Sequence, residues 1–383
     1  MRMIEVCFVT KAWRAGAAWV AQMTVQAIAE QGASVAMIAP LAEPSTREPR
    51  HPNLVRILVG RELTEGGTGL TRALASLRRV VGTWRAVVWM RARTRTYVFS
   101  IPDPLIFTLP LLIVLRLSGA RVIFLVHDAV PHAFRFSGVL RSVELATHKL
   151  SYRLANLLIV MTKALRDELV EKHGLSSAKI VVIPHGAFKI EPVAPCPGSG
   201  RFFLFGTFRR NKSVLEAIKA VILVRRSDPS VSLMLAGEPH PHELDYWQEC
   251  QGAMLMDPAA FDVKVGFLPD EELPAYIVDV DAFLLAYRDF NSQSGVGVLA
   301  GLAGRPVIGT RAGGLSELFD DGLSGIQIEG PPTPESIASA IRAFRVQPID
   351  HWRHLASHAA VKLEGALSWN AIAMRYLGFV RRD

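Results

Sequence analysis

The chain has 383 residues and a formal net charge of +8; 50% of its residues are hydrophobic and 20% are charged. This length exceeds one ordinary hydrophobic core, so we expect two domains, and the apolar content excludes broad disorder. The three cysteines, Cys7, Cys196 and Cys250, form neither a disulfide framework nor a metal-binding spacing, which favours the reducing cytoplasm.

The first elements alternate between short apolar strands and helices. "MIEVCFVT" predicts a buried strand, "AAWVAQMTVQAIAEQG" a helix and "SVAMIAP" a second strand, and the apolar start is too short for a secretory signal. The further strands of this half are predicted at "TYVFS", "RVIFLVH", "LLIVMT" and "IVVIPHG". This rhythm predicts a parallel sheet covered on both faces, with ligands at the carboxyl ends of its strands.

An arginine-rich segment lies between Arg61 and Arg95, where Glu62 and Glu65 are the acidic residues. A helix over "TRALASLRRVVGTWRAVVWMRAR" would carry apolar residues near one face and arginines beside it. The apolar residues are Leu74, Leu77, Val81, Trp84 and Val88, and the arginines are Arg72, Arg78, Arg79 and Arg85. Two interpretations stay open: a surface for anionic membranes, or a helix packed on its own domain with a solvated basic rim. Nothing in the sequence indicates nucleic-acid binding.

The next two features are an apolar run and a strand end. The run "LIFTLPLLIVLRL" contains Pro110 and is shorter than the roughly 20 residues that cross a bilayer, so we predict no spanning helix there. His127 and Asp128 follow the strand "RVIFLV" at its carboxyl end. A histidine at that position either is structural or faces a ligand cleft.

A proline- and glycine-rich stretch, "KIEPVAPCPGSG", predicts the domain boundary. The strand rhythm then restarts with "RFFLFG", "VSLMLAG", "FDVKVGFL", "AFLLAY", "RPVIGT" and "GIQIE". We predict an N-terminal Rossmann-like domain over residues 1–188, a linker over 189–200, a C-terminal Rossmann-like domain over 201–366 and an amphipathic helix over 367–383. The expected class is α/β, with two parallel-sheet domains facing across a cleft.

Two anion-binding features belong to one rim of the second sheet. After Gly206, the turn "TFRRNK" carries Arg209 and Lys212, which can hold a diphosphate or can be ordinary surface cations, as we expect for Arg210. "NSQSGVG" places Ser294 and Gly295 at a helix start, which also suits an anion. Together they indicate a nucleoside diphosphate group, although neither "GxxxxGK[ST]" nor "GxGxxG" occurs.

Metal binding is not expected. His240 and His242 lie near Glu238 and Glu243, but this proline-containing loop offers no fixed face for tetrahedral coordination.

These motifs in order, "FGTFRRNK", "AYRDFNSQSGVGVLAGLAGRPVIGTRAGGLSEL" and a closing "SW", resemble the GT-B glycosyltransferases of group 1, also called family 4. The resemblance covers most of the chain and is strongest over residues 202–318. It implies that the C-terminal domain binds a UDP- or GDP-sugar, that the N-terminal domain binds the acceptor, and that the last helix crosses back to the N-terminal domain. It also implies retention of anomeric configuration and no metal or other cofactor.

The resemblance assigns individual residues. Arg209 and Lys212 match the cations that hold the donor diphosphate, Gly206 the turn glycine, and Ser294 and Gly295 the phosphate-binding helix start. Further matches are Gly313, Gly314 and Glu317 in "GGxxE", His127 near the transferred sugar, Gly16 in a loop near the donor phosphate, and His185 and Gly186 at the cleft wall. In that first loop, Lys11 and Arg14 would meet an acceptor phosphate or be solvated.

One departure from the family pattern concerns the donor's sugar and ribose. Many relatives carry two glutamates where this chain has Asn291 and Leu299. "AYRDFNSQSG" instead resembles a branch with "YRxxxQSG", which includes Tyr287 in the predicted donor site. Glu238 and Glu317 are the acids available to hold ribose.

With this resemblance, the sequence predicts a cytoplasmic hexosyltransferase. The membrane interpretation of the arginine-rich helix would place it on the inner face of the membrane, and the interpretation as a packed helix would not. Its acceptor would be a glycan, lipid-linked in exopolysaccharide or cell-surface polysaccharide biosynthesis. The alternative is a catalytically silent GT-B protein that binds glycan or membrane as an assembly partner. A nucleotide-sugar epimerase is a third hypothesis.

Overall fold

A computed structural model describes residues 3–13, 16–41, 49–61, 69–101, 105–127, 139–186, 193–269, 271–288, 290 and 292–381. The chain divides into two compact units. The first comprises Met1–His185 together with Trp369–Asp383, and the second comprises Gly186–Ser368.

The first unit contains a seven-stranded parallel sheet in the order β3-β2-β1-β4-β5-β6-β7. Its strands are β1 (Val6–Thr10), β2 (Val35–Leu41), β3 (Leu54–Arg61), β4 (Thr96–Ile101), β5 (Arg121–Val126), β6 (Leu157–Val160) and β7 (Ile180–Val182). Its helices before the second unit are α1 (Gly16–Glu30), α2 (Gly69–Met90), α3 (Leu105–Leu117), α4 (Val139–Leu154) and α5 (Lys163–His173). Helices pack on both faces, so the strands consist of continuous apolar runs such as the fully buried "VCFVT".

The second unit contains a six-stranded parallel sheet in the order β10-β9-β8-β11-β12-β13. Its strands are β8 (Arg201–Phe205), β9 (Ser232–Gly237), β10 (Phe261–Val265), β11 (Ala282–Leu285), β12 (Val307–Thr310) and β13 (Gly325–Ile328). Its helices are α6 (Val214–Arg225), α7 (Leu244–Met254), α8 (Leu273–Ile277), α9 (Gly295–Leu302), α10 (Gly313–Asp320), α11 (Pro334–Val346) and α12 (Ile349–Leu367). The predicted α/β class with two Rossmann-like parallel sheets is confirmed.

The described part of the predicted linker is held by the second unit. The carboxylate of Asp281 accepts hydrogen bonds from the backbone N–H groups of residues 198, 199 and 200, at 2.6, 3.1 and 2.6 Å. The buried guanidinium of Arg305 donates to Ala194 O at 2.6 Å, and Arg353 donates to Cys196 O at 2.8 Å. Residues 194–200 are therefore fixed to this unit by charged side chains.

A further helix, α13 (Trp369–Val380), follows the second unit in the chain but packs in the first. The rings of Trp369 and Trp19 of α1 are 5.4 Å apart, and Tyr376 lies against Phe8 of β1. Arg375 donates to Val182 O at 2.6 Å. Within the described residues, none of the helices combines the length and the apolar character that crossing a membrane requires.

Candidate functional site

The predicted donor-site residues of the second unit follow four neighbouring strands. Gly206 follows β8, Glu238 follows β9, Tyr287 and Ser294 follow β11, and Glu317 lies on α10 after β12. These strands are parallel and adjacent in the order β9-β8-β11-β12, so their carboxyl ends form one edge of the sheet. Ligands of open α/β sheets bind at this edge.

Two glycines let the strand ends approach each other closely. Gly237 has φ +146°, and a Cβ atom there would lie 2.0 Å from Gly206 O. Gly206 has φ +101°, and a Cβ atom on it would lie 2.9 Å from Lys212 Nζ and 4.0 Å from Val296 Cγ2. The Lys212 ammonium and the first turn of α9 therefore meet beside Gly206.

Arg209 precedes a short 3-10 turn, Arg210–Lys212, and Lys212 is the last residue of that turn. Arg209 Nε is buried without a hydrogen-bond partner in the part of the chain that the structure describes. Burial, and then the positive charge of Arg209, lower the pKa of Lys212 from 10.5 to about 8. Among the described residues neither cation has a carboxylate partner, so both charges are available to an anion.

Arg210, between them, is different. It is exposed, its guanidinium contacts Asp245 at 2.9 Å and Glu249 at 3.1 Å, and it lies 4.7 Å from the centroid of the Tyr246 ring. Arg210 is the surface cation that the sequence predicts. In this segment Arg210 is neutralised by carboxylates, whereas Arg209 and Lys212 have no carboxylate partner among the described residues.

Ser294 begins α9 as its N-cap. Its hydroxyl accepts from Gly297 N at 3.0 Å and lies 3.2 Å from the Tyr287 hydroxyl, and Ser294 is only 2% exposed. The serine side chain therefore caps the helix, while the N–H groups of Gly295 and Val296 in the first turn have no intrahelical acceptor. Tyr287 is also buried, and burial raises its pKa to about 12. Through its hydroxyl, Tyr287 supports the N-cap of α9.

The acids predicted to hold ribose lie on either side of these elements. Glu238 is exposed after β9, and Glu317 is half-buried on α10, whose first residue Gly313 has φ +43°. Leu299 is fully buried in the apolar core beneath α9, where a carboxylate would lose its hydration. Asn291 lies outside the described residues.

In the first unit, His127 lies at the carboxyl end of β5 and is half-buried. Burial, and to a smaller extent nearby His185, lower the pKa of His127 to about 3, so the imidazole is neutral at physiological pH. His185 is buried with its ring edge toward Trp19, 6.5 Å between centroids. Gly16 begins α1. Asp128 and Arg14 lie outside the described residues.

Helix α2 presents an apolar stripe to solvent. Exposed fractions of 48–58% are found for Leu74, Leu77, Val81, Val88 and Trp89. Arg78 and Arg85 are exposed beside them, whereas the side chain of Arg72 lies outside what the structure describes.

The assignment of Arg79 to this basic surface is wrong. It is 5% exposed, it packs against Gly60 of β3, and its guanidinium reaches Ser76 at 3.4 Å. Arg79 lies on the face of α2 turned toward the sheet, where no membrane can reach it.

Arg288 is a residue that sequence reasoning missed. Its backbone N–H donates to Asn211 O at 2.7 Å, and its Nε donates to Ser213 Oγ at 3.0 Å. Its Nη2 donates to Glu216 Oε1 and to Pro332 O, both at 2.9 Å. The arginine of "AYRDF" in the recognised motif was the available signal.

No metal-binding group of three or more His, Cys, Asp or Glu side chains occurs among the described residues. The rings of His240 and His242 meet edge to face, with 5.6 Å between their centroids.

Comparison with protein families accounts for most of the chain. Residues 15–186 match the family described as glycosyl transferase 4-like domain, and residues 199–345 match the family described as glycosyl transferases group 1. Among curated proteins, the glycogen synthase of Mycobacterium tuberculosis H37Rv is 28% identical over 254 residues, covering 64% of this chain and 59% of the relative. The chain thus spans less than two thirds of the length of the curated relatives it matches.

Solved structures show the same fold. Sucrose-phosphate synthase from Thermosynechococcus elongatus has a TM-score of 0.74 at 18% identity, covering 99% of this chain and 98% of that one. The Anabaena protein Alr3699/HepE in complex with UDP and glucose has a TM-score of 0.69 at 17% identity, covering 98% and 99%.

Proposed function

Since the chain carries a glycosyl transferase 4-like domain followed by a glycosyl transferases group 1 domain, we propose that it transfers a hexose from a UDP- or GDP-sugar to a glycan acceptor, with retention of configuration. The observation that carries the proposal is the pair Arg209 and Lys212. Both cations lack a carboxylate partner among the described residues and lie at the carboxyl edge of the sheet, with Lys212 beside the start of α9.

The chemistry proposed for this edge is leaving-group stabilisation. When the glycosidic bond to the nucleotide breaks, negative charge develops on the diphosphate. Arg209 offers a forked guanidinium, Lys212 a point charge, and Gly295 and Val296 backbone N–H groups, all in positions fixed before the reaction. No metal is proposed, because these cationic groups supply the positive charge.

His127 is proposed to contact the transferred sugar or the acceptor. With its pKa lowered to about 3 by burial, the imidazole donates and accepts hydrogen bonds as a neutral group at physiological pH. Glu238 and Glu317 are the proposed partners of the ribose hydroxyls. The Anabaena relative bound to UDP and glucose supports a nucleotide-sugar donor.

A lipid-linked acceptor in cell-surface polysaccharide biosynthesis is the proposed biological setting, with the enzyme peripheral on the cytoplasmic face of the membrane. Its support is the surface of α2, where exposed Leu77, Val81 and Trp89 lie beside Arg78 and Arg85. An apolar stripe with cations beside it matches the chemistry of an anionic bilayer surface.

The test of the proposed function is nucleotide binding with matched variants. UDP, GDP and ADP are titrated into the protein by calorimetry, and we expect one of them to bind. Lys212→Ala should weaken binding of that nucleotide and lower transfer on the order of a hundredfold, since one preorganised donor at a developing anion has that value.

Arg210→Ala is the control. It removes a charge from the same turn, but Asp245 and Glu249 already neutralise that charge. Equal losses in the two variants would count against Lys212 as a contact of the donor diphosphate. If the folded protein binds none of the three nucleotides, the catalytically silent assembly partner is the better hypothesis, with glycan and vesicle binding to be measured next.

A further inference from the structure

The loop after β11 connects the two anion-binding elements. Tyr287 reaches forward to the cap of α9, with its hydroxyl 3.2 Å from Ser294 Oγ. Arg288, the next residue, reaches back to the turn that carries Lys212, with its backbone N–H on Asn211 O at 2.7 Å. Consecutive residues thus hold the helix start and the cation turn.

The turn needs such support because its backbone is strained. Ser213 has φ +49°, in the left-handed region that residues other than glycine rarely adopt. It is the N-cap of α6, yet its hydroxyl makes no capping hydrogen bond to that helix. The hydroxyl instead accepts from Arg288 Nε at 3.0 Å.

The guanidinium of Arg288 is also fixed at its far end. Nη2 donates to Glu216 Oε1 in α6 and to Pro332 O before α11, both at 2.9 Å. The side chain, although partly exposed, therefore joins α6 to the loop before α11 and contacts Ser213 through Nε.

We propose that Arg288 is a positioning residue that sets the place of Lys212 relative to the start of α9, and so fits the site to a diphosphate rather than to a monophosphate. The inference rests on the proposed function, because it assumes that these two elements hold the donor diphosphate. The side chain of Arg288 acts through Ser213. Its backbone N–H holds Asn211, and this contact is kept in the substitutions below.

The experiment compares a nucleoside diphosphate with its monophosphate. The nucleotide that binds the wild-type protein best among UDP, GDP and ADP is chosen, and Kd is measured for it and for the corresponding monophosphate. In Arg288→Ala we expect about a tenfold weaker Kd for the diphosphate, since small misplacement of a binding group has large effects, and less than about a threefold change for the monophosphate.

Two further variants separate positioning from charge and from folding. Arg288→Lys keeps the charge but loses the forked guanidinium, so we expect an intermediate loss of diphosphate affinity. If Arg288→Ala does not fold, Arg288→Lys tests the positioning role in its place. Arg210→Ala removes an arginine from the same turn and should leave the diphosphate-to-monophosphate ratio unchanged.

The outcomes are distinct. An unchanged ratio in folded Arg288→Ala or Arg288→Lys, including an equal loss for both nucleotides, overturns the positioning role while the proposed function stands. Wild-type protein that binds no nucleoside diphosphate overturns the proposed function, and this inference with it.

Discussion

The surroundings of Lys212 disfavour the positive charge of its ammonium group. Burial and the neighbouring Arg209 lower its pKa to about 8, so the ammonium predominates at pH 7 and is lost as the pH rises above about 8. Binding of an anion favours the protonated form, so nucleoside diphosphate affinity should fall as the pH rises through this value.

Calorimetric titrations between about pH 6.5 and about pH 9.5 measure this dependence. Lys212→Arg is the matched variant, because a guanidinium keeps its charge over that range. The affinity of this variant for the nucleoside diphosphate should not change with pH. A wild-type affinity that does not change with pH would show that Lys212 is not the titrating contact.

Some residues of the candidate site could be predicted from the sequence, and others could not, for a physical reason. Gly206, Arg209 and Lys212 lie in one short local motif after a strand, so their common location follows from the strand pattern. Arg288 depends on Ser213, Glu216 and Pro332, which are distant in the chain and meet only in the folded unit. The motif "AYRDF" marks Arg288 itself, but nothing local in the sequence indicates these contacts.

At the scale of elements, α2 shows what amphipathic spacing can and cannot predict. The pattern correctly indicated a helix with Leu77 and Val81 on one side, but it could not tell which arginines face the sheet, and Arg79 is buried. Strand β3 was missed because it is an edge strand with exposed Val55 and Leu58, each 39% accessible, and its run is broken by Arg56.

The surface of α2 leads to a testable prediction about membranes. The double variant Arg78→Ala/Arg85→Ala should bind vesicles of anionic phosphatidylglycerol roughly tenfold more weakly than wild type, because each cation near an anionic surface contributes to binding. Cosedimentation at low and high salt measures the effect, and binding should weaken as salt rises.

A control with the same loss of charge is Arg226→Ala/Arg342→Ala, whose exposed arginines belong to the second unit. An equal effect of the two double variants would show that net charge, and not the surface of α2, governs vesicle binding. Absence of wild-type binding would remove the support for a membrane-bound acceptor.

At the scale of the whole molecule, each unit has its own hydrophobic cores. The clusters around β8 to β13 draw their buried side chains from the second unit, including Trp352, Leu363 and Leu367 of α12. The strands of both units were largely predictable because fully buried parallel strands have continuous apolar sequences. Predicting where α13 packs required the family resemblance, because an amphipathic sequence does not indicate which domain the helix packs against.

This division predicts that residues 186–368 fold alone and keep nucleoside diphosphate binding. Arg209, Lys212 and the N–H groups of Gly295 and Val296 all lie in that unit, and of the predicted donor-site residues only Gly16 belongs to the first unit. The Kd of the fragment should therefore stay within about threefold of that of the full chain, although sugar transfer should be lost. Circular dichroism checks folding and calorimetry measures Kd. A folded fragment without affinity would show that the first unit contributes to the diphosphate site.

Because α13 packs in the first unit, that unit has all its residues only after the second unit has been synthesised. The first unit needs Trp369–Val380 to cover the apolar residues of α1 and β1, but these residues are translated only after Gly186–Ser368. At ordinary bacterial and eukaryotic rates that interval is roughly ten to forty seconds. We expect the nascent first unit to expose this apolar face during that interval, which would make it prone to aggregation while the second unit is still emerging.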